Sequence, residues 1–220
     1  RQRQMCIRDR SIGNVKYTFD ERGVAQDSWV HNSDKGTWKY YGDEEEPKLH
    51  TGWFEAVPPK DLNSDDHESG TTHWYYANSK GEITIPTADG EVGVAKTIDG
   101  KSYLFNSDGE MVTGLRILTY DGSKITNISS GVDSVDTVKN MNSDTMKLVY
   151  FESNGAAKTG TTTITLDGTS YTFSFKSNGS PRGVGETGIS DGYIYQNGLR
   201  LTADEDTKYG VVTYKNESYV

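Results

Sequence analysis

The amino-acid sequence predicts an all-β fold, a repetitive β-hairpin solenoid made of short aromatic repeats of about twenty residues. Three observations lead there. The chain carries 24 glycines, 14 tyrosines, 6 phenylalanines and 4 tryptophans, spread at intervals where a disordered chain would lack aromatics. Aliphatic residues are few and no long helical pattern appears, so short strands joined by tight turns, with no single large core, are expected. Most telling, aromatic segments and turn glycines recur together.

The first ten residues, RQRQMCIRDR, differ from the rest: they hold four arginines, the only cysteine, and neither glycine nor periodicity. They are set aside as a translated sequencing-adaptor artefact or a disordered tail. On that reading the true N-terminus is missing, and the lack of a signal peptide says nothing of export. Removing four arginines and one aspartate takes the net charge from −9 to −12, which argues against nucleic acid as a partner. The remaining residues have no cysteine for a disulfide or a thiolate metal site. Nor is there an apolar run long enough for membrane insertion.

Six segments align on their turn glycine: KYTFDERG at Gly23, WYYANSKG at Gly81, SYLFNSDG at Gly109, LVYFESNG at Gly155, TFSFKSNG at Gly179 and YIYQNG at Gly198. Alternating aromatics give each strand one apolar face, and the glycine supplies the positive φ of a tight turn. Tyr150, Tyr171, Tyr193 and Tyr214 follow at spacings of 21, 22 and 21. An isolated hairpin is marginal in water, so each must bury its aromatic face against the next. Residues 11–120 hold the tryptophan-containing repeats, with a polar surface loop at 55–71. Residues 121–146 are expected to be a second loop insertion, and 147–220 degenerate repeats cut short just after the strand-like VVTYKNESYV.

In this register the segments resemble the pattern W-Y-Y-F-x-x-x-G-x-x-x-T-G-W of the cell-wall-binding repeats, choline-binding and glucan-binding-like, of Gram-positive surface proteins. TGWF at Thr51 to Phe54 and HWYY at His73 to Tyr76 match well; TWKYY from Thr37 and DSWV from Asp27 are looser copies. The resemblance implies a non-catalytic module that anchors a secreted protein at the bacterial cell surface. Its partner would be a cell-wall polymer, a choline-bearing teichoic acid or a glycan, bound by aromatic rings without a cofactor or metal. A ring face attracts a quaternary ammonium group, tryptophan most strongly. A host-carbohydrate adhesin or toxin-type repeat, or a passive stalk, would be built on the same scaffold. A catalytic or other functional domain is expected elsewhere in the full-length protein.

Two positions of the pattern behave differently. The first aromatic position reads Lys16, Trp38, Trp74, Ser102, Leu148 and Thr172, and every tryptophan of the chain falls between residues 29 and 74. The fourth reads Phe19, Tyr41, Ala77, Phe105, Phe151, Phe175 and Tyr195, apolar throughout, as a core position should. Candidate ligand-binding residues are therefore Trp29, Trp38, Tyr40, Trp53, Trp74, Tyr75 and Tyr76. One cage is expected where Trp29, Trp38 and Tyr40 approach Trp53, another where Trp53 approaches Trp74 and Tyr76; the same rings could equally fill the space between hairpins. Tyr103, Tyr150, Tyr171 and Tyr193 are expected to pack in cores. The unit beginning at Trp38 departs from the pattern, with GDEEEPKLH in place of a short glycine turn. No nucleophile motif, zinc-protease motif or distinguished carboxylate pair suggests an enzyme.

Overall fold

A computed structural model describes residues 8–13, 15–19, 22–178, 182–202, 211–214 and 217–219. Most of the tail and the turn glycine Gly179 lie outside these residues. The chain divides into two compact units, residues 1–87 with 105–111, and residues 88–104 with 112–220. Antiparallel hairpins dominate both, as the aromatic alternation predicts.

In the first unit β1 (Arg8–Ile12) pairs with β2 (Val15–Phe19), β3 (Trp29–Asn32) with β4 (Thr37–Tyr40), and β5 (Gly52–Ala56) with β6 (His73–Ala77). Arg8, Asp9 and Arg10, assigned from sequence to the tail, thus open a strand. Backbone pairing with β2 makes few demands on side chains, which is why composition did not reveal it. Between β5 and β6 lies α1 (Ser64–Ser69). Asn63 caps it by accepting from the Asp66 amide at 3.2 Å, and Gly70 closes it with φ of 71°. The stretch 55–71 is therefore not simply a loop: Glu55 and Ala56 continue β5, and a capped helical turn follows.

The second unit contains two five-stranded sheets. β7 (Gly93–Ile98), β8 (Lys101–Asn106, whose last two residues belong to the first unit), β9 (Gly114–Asp121), β10 (Lys124–Ile128) and β11 (Met146–Phe151) assemble in the order β11-β9-β10-β7-β8, with α2 (Val135–Asn140) between β10 and β11. β12 (Gly160–Leu166), β13 (Thr169–Phe175), β14 (Gly188–Ser190), β15 (Tyr193–Gln196) and β16 (Leu199–Arg200) follow in the order β12-β13-β16-β15-β14. A last hairpin joins β17 (Val212–Tyr214) and β18 (Glu217–Tyr219). The expected loop at 121–146 is corrected here. It carries β10 and α2, and Val132, Val135, Val138 and Met141 are buried in the core. Apolar residues every third position make one face of a helical turn, a pattern masked by the polar residues between them.

The repeat is visible in the backbone. Phe19 bridges Ala25, Ala77 bridges Ile83, Phe105 bridges Met111 and Phe151 bridges Ala157, each pair six residues apart across a glycine. Those glycines, Gly23, Gly81, Gly109 and Gly155, have φ between 78° and 82°. Ile83, Met111 and Ala157, and likewise Gly185, which bridges Phe175, then reach back to the preceding repeat. The Ile83 amide donates to the Trp38 carbonyl at 3.0 Å, Met111 to Trp74 at 2.8 Å, Ala157 to Ser102 at 2.8 Å and Gly185 to Leu148 at 2.8 Å. Each acceptor is a residue at the first aromatic position of the pattern. After Tyr41 the longer turn GDEEEPKLH places Leu49 in this role, donating to Lys16 at 2.9 Å.

Side chains seal the same joints. A Cβ on Gly81 would lie 2.4 Å from Leu49 Cδ1, and one on Gly109 would lie 2.9 Å from both Ile83 Cδ1 and Ile85 Cγ2. The turn glycine is thus fixed twice, by its φ and by the apolar residue resting on it. At the fourth position Tyr41, Ala77, Phe105, Phe151, Phe175 and Tyr195 are all buried, and Phe19 half-buried. Among the described residues the apolar side chains form three clusters, one in the first unit around Phe54 and Tyr75 and two in the second.

Candidate functional site: an aromatic and acidic groove

Strand alternation decides which rings meet. In β3 and β4, Trp29 lies opposite Tyr40 and His31 opposite Trp38, all on one face. Trp29 contacts Tyr40 at 4.9 Å between ring centroids, and His31 stacks on Trp38 at 4.4 Å. In β5 and β6, Phe54 and Tyr75 face one way, whereas Trp53, Trp74 and Tyr76 face the other.

Trp29, Trp38 and Tyr40 come together as expected, lining an open groove of about 590 Å³. Trp29 is half-buried and held by donating its indole Nε1–H to the Val57 carbonyl at 2.7 Å. Trp38 is only 7% exposed. The facing wall is Val57, Pro58 and Pro59, from the segment after β5. Asp27, Asp43, Glu44 and Asp61 stand along the same groove. Burial, and secondarily the carboxylate of Asp43, raise the pKa of the Tyr40 hydroxyl, so Tyr40 remains a neutral donor. Aromatic rings and carboxylates lining one groove are features that attract a cation, with Lys60 in the same lining opposing it.

Trp53 does not supply the expected fourth wall. The rings packed against Trp29 and Tyr40 are Phe54, at 5.9 and 5.3 Å, and Tyr75, at 5.0 Å from Trp29. Trp53 turns to the other side of β5, against Tyr76 at 5.2 Å and Phe105 at 5.8 Å. Trp74 shares that second face, lies opposite Glu55 in register and is 45% exposed. Trp53, Trp74 and Tyr76 thus share one face of the hairpin, with Trp53 and Tyr76 in ring contact.

Tyr75 requires a correction. It has no exposed surface and belongs to the core around Phe54, because its odd place in HWYY puts it opposite Trp74 and Tyr76. Among the later tyrosines Tyr150 and Tyr171 pack against a core as expected, but Tyr193 is 50% exposed with the Arg200 guanidinium 4.7 Å from its ring centre. The carboxylates of the groove were not singled out in advance. Their signal was the departure from pattern at GDEEEPKLH, whose first acids border the tryptophans, and the PPKD stretch that supplies the opposite wall.

No family model matches the chain. Glucosyltransferase-S of Streptococcus mutans serotype c is 31% identical over 159 residues, which are 69% of this chain and 9% of that protein. This chain therefore spans about a tenth of the length of that relative. Among solved structures, choline binding protein F of Streptococcus pneumoniae aligns over 88% of this chain and 57% of its own, at 18% identity and a TM-score of 0.35. A truncated alternansucrase from Leuconostoc mesenteroides aligns over 91% of this chain and 13% of its own, at 18% identity and a TM-score of 0.31. Among the described residues no helix is long and apolar enough to cross a membrane.

Proposed function

We propose that this chain, a run of repeats of the choline-binding and glucan-binding family, is a non-catalytic module that holds a secreted protein on the bacterial cell surface by gripping a wall polymer. The observation that carries the reading is the groove lined together by Trp29, Trp38 and Tyr40 and by Asp27, Asp43 and Glu44. A quaternary ammonium group on a teichoic acid suits it: each well-placed ring contributes roughly 0.5 to 2 kcal/mol, and the carboxylates add attraction that a neutral sugar would not draw on. Weak sites on one polymer combine through effective concentration, so a modest groove suffices for anchoring.

A glycan is the second reading, and the exposed indole of Trp74 beside Trp53 and Tyr76 favours it, since a flat uncovered ring suits the face of a sugar. The two are separable. Retention on choline-agarose with elution by free choline, lost in Trp38→Ala and weakened in the Asp43→Asn, Glu44→Gln double variant, is expected for the groove. Pelleting with insoluble glucan, lost in Trp74→Ala, is expected for the second face. Unchanged retention in all three variants would place binding outside these two aromatic faces, and no retention of the wild-type chain on either support would leave the stalk reading.

A further inference from the structure

The insertion between β5 and β6 carries a second constellation in the first unit. Asp66 of α1, His73 at the start of β6 and Glu110 just beyond the Gly109 turn each offer one ligand atom, and these atoms lie within 4.8 Å of one another. His73 Nε2 is 2.9 Å from Asp66 Oδ2 and 3.7 Å from Glu110 Oε1. Glu110 is buried, at 8% exposure. Neutral amides orient both carboxylates: Asn63 Nδ2 donates to Asp66 Oδ2 at 2.7 Å and to Glu110 Oε1 at 2.9 Å, and Asn106 Nδ2 donates to Glu110 Oε2 at 2.9 Å. Among the described residues no lysine or arginine forms a salt bridge with either acid.

An independent observation points into the same place. Tyr75 lies two residues beyond His73 on the same face of β6, is fully buried, and its hydroxyl has no hydrogen-bond partner. A buried hydroxyl left unpaired is costly, and partners for such groups are normally found in native structures.

We propose that Asp66, His73 and Glu110 bind a divalent transition-metal ion such as Zn²⁺, with the Tyr75 hydroxyl facing the water that completes its coordination. One imidazole and two carboxylates are a donor set zinc accepts, at bonds of about 2.0 to 2.2 Å. The amides of Asn63 and Asn106 hold the carboxylates as outer-shell groups do in metal sites. The ion would staple three segments distant in sequence, the helix of the insertion, β6 and the turn after β8. Its role is structural, and it is separate from the aromatic groove.

The test uses the full chain, stripped with EDTA and then dialysed against Zn²⁺, with bound zinc counted and thermal unfolding followed. One tightly held equivalent is expected, with a rise in Tm that EDTA reverses. Asp66→Asn and His73→Gln should each weaken zinc affinity at least tenfold, whereas His67→Gln, on the same helix, should not. Asp66 is half-exposed, so Asp66→Asn should fold even if a change at buried Glu110 does not; far-UV circular dichroism checks this. Failure of the wild-type chain to retain an equivalent, or equal retention by Asp66→Asn and His73→Gln, would overturn the assignment.

Discussion

The amide of Met111 donates to the carbonyl of Trp74 at 2.8 Å, and so the turn after β8 is tied to the strand of the preceding repeat through main-chain atoms alone. Met111→Pro removes that donor and orphans the carbonyl. A loss of about 1 to 3 kcal/mol is expected, larger than that of Met111→Ala, measured by urea unfolding.

The glycine of the same turn is constrained by conformation and by space. Gly109→Ala places a Cβ at φ of 79° and 2.9 Å from Ile83 Cδ1 and Ile85 Cγ2. Left-handed strain of roughly 1 to 2 kcal/mol adds to the displacement of those side chains. Gly100→Ala, with φ of 77° but nothing within 4 Å, should cost only the strain; the difference between the two in equilibrium unfolding measures the packing at the joint.

Neighbours on β6 should respond oppositely to truncation. Tyr75→Ala empties a fully buried position and should cost about 3 to 5 kcal/mol. Trp74→Ala, one residue away on the open face, should stay within roughly 0.5 kcal/mol of wild type. Equal losses would contradict the alternation that divides core from candidate binding surface.

His50 packs against Tyr40 and Phe54, at 5.1 and 5.3 Å between ring centroids, and burial, followed by the charge of Lys48, lowers its pKa from 6.5. The unfolded chain then binds the proton more readily than the folded one, so stability is present above pH 6.5 and falls as the solution is acidified below it. His50→Gln should flatten this part of the profile, as read from urea midpoints between pH 7 and pH 5.

Within α2, Val138 has no exposed surface. Val138→Asp buries a charge without a partner, and a loss of several kcal/mol is expected, whereas Asp136→Ala on the exposed side should be nearly neutral. Near-neutral behaviour at Val138 would mean that 121–146 is the surface loop its composition suggests.

What could be foreseen follows from which interactions have a period. The turn glycines and the fourth-position aromatics recur because every repeat needs them, and Phe105, Phe151 and Phe175 are buried as their spacing implies. The joints could not be foreseen, since the Trp38, Trp74, Ser102 and Leu148 carbonyls act irrespective of side chain. The two insertions were obscured for another reason. Each occurs once, so Val132, Val135 and Val138 had no second copy against which their pattern could stand out. At the groove, Trp29, Trp38 and Tyr40 were legible as aromatics in register. Phe54 taking the place expected of Trp53 followed from strand parity, which a shift of one residue reverses.

The main-chain joints bear on how such a chain would carry load. If one end is held by a polymer and the other by a tethered protein, tension within the first unit passes between two-stranded hairpins through amide-to-carbonyl links such as Ile83 to Trp38, the contact of Leu49 on Gly81 and the rings packed around Phe54. Coupling between nearest neighbours makes such an array yield in steps. Pulled, this unit would give up one hairpin at a time and lengthen in small increments while its remaining repeats kept their hold.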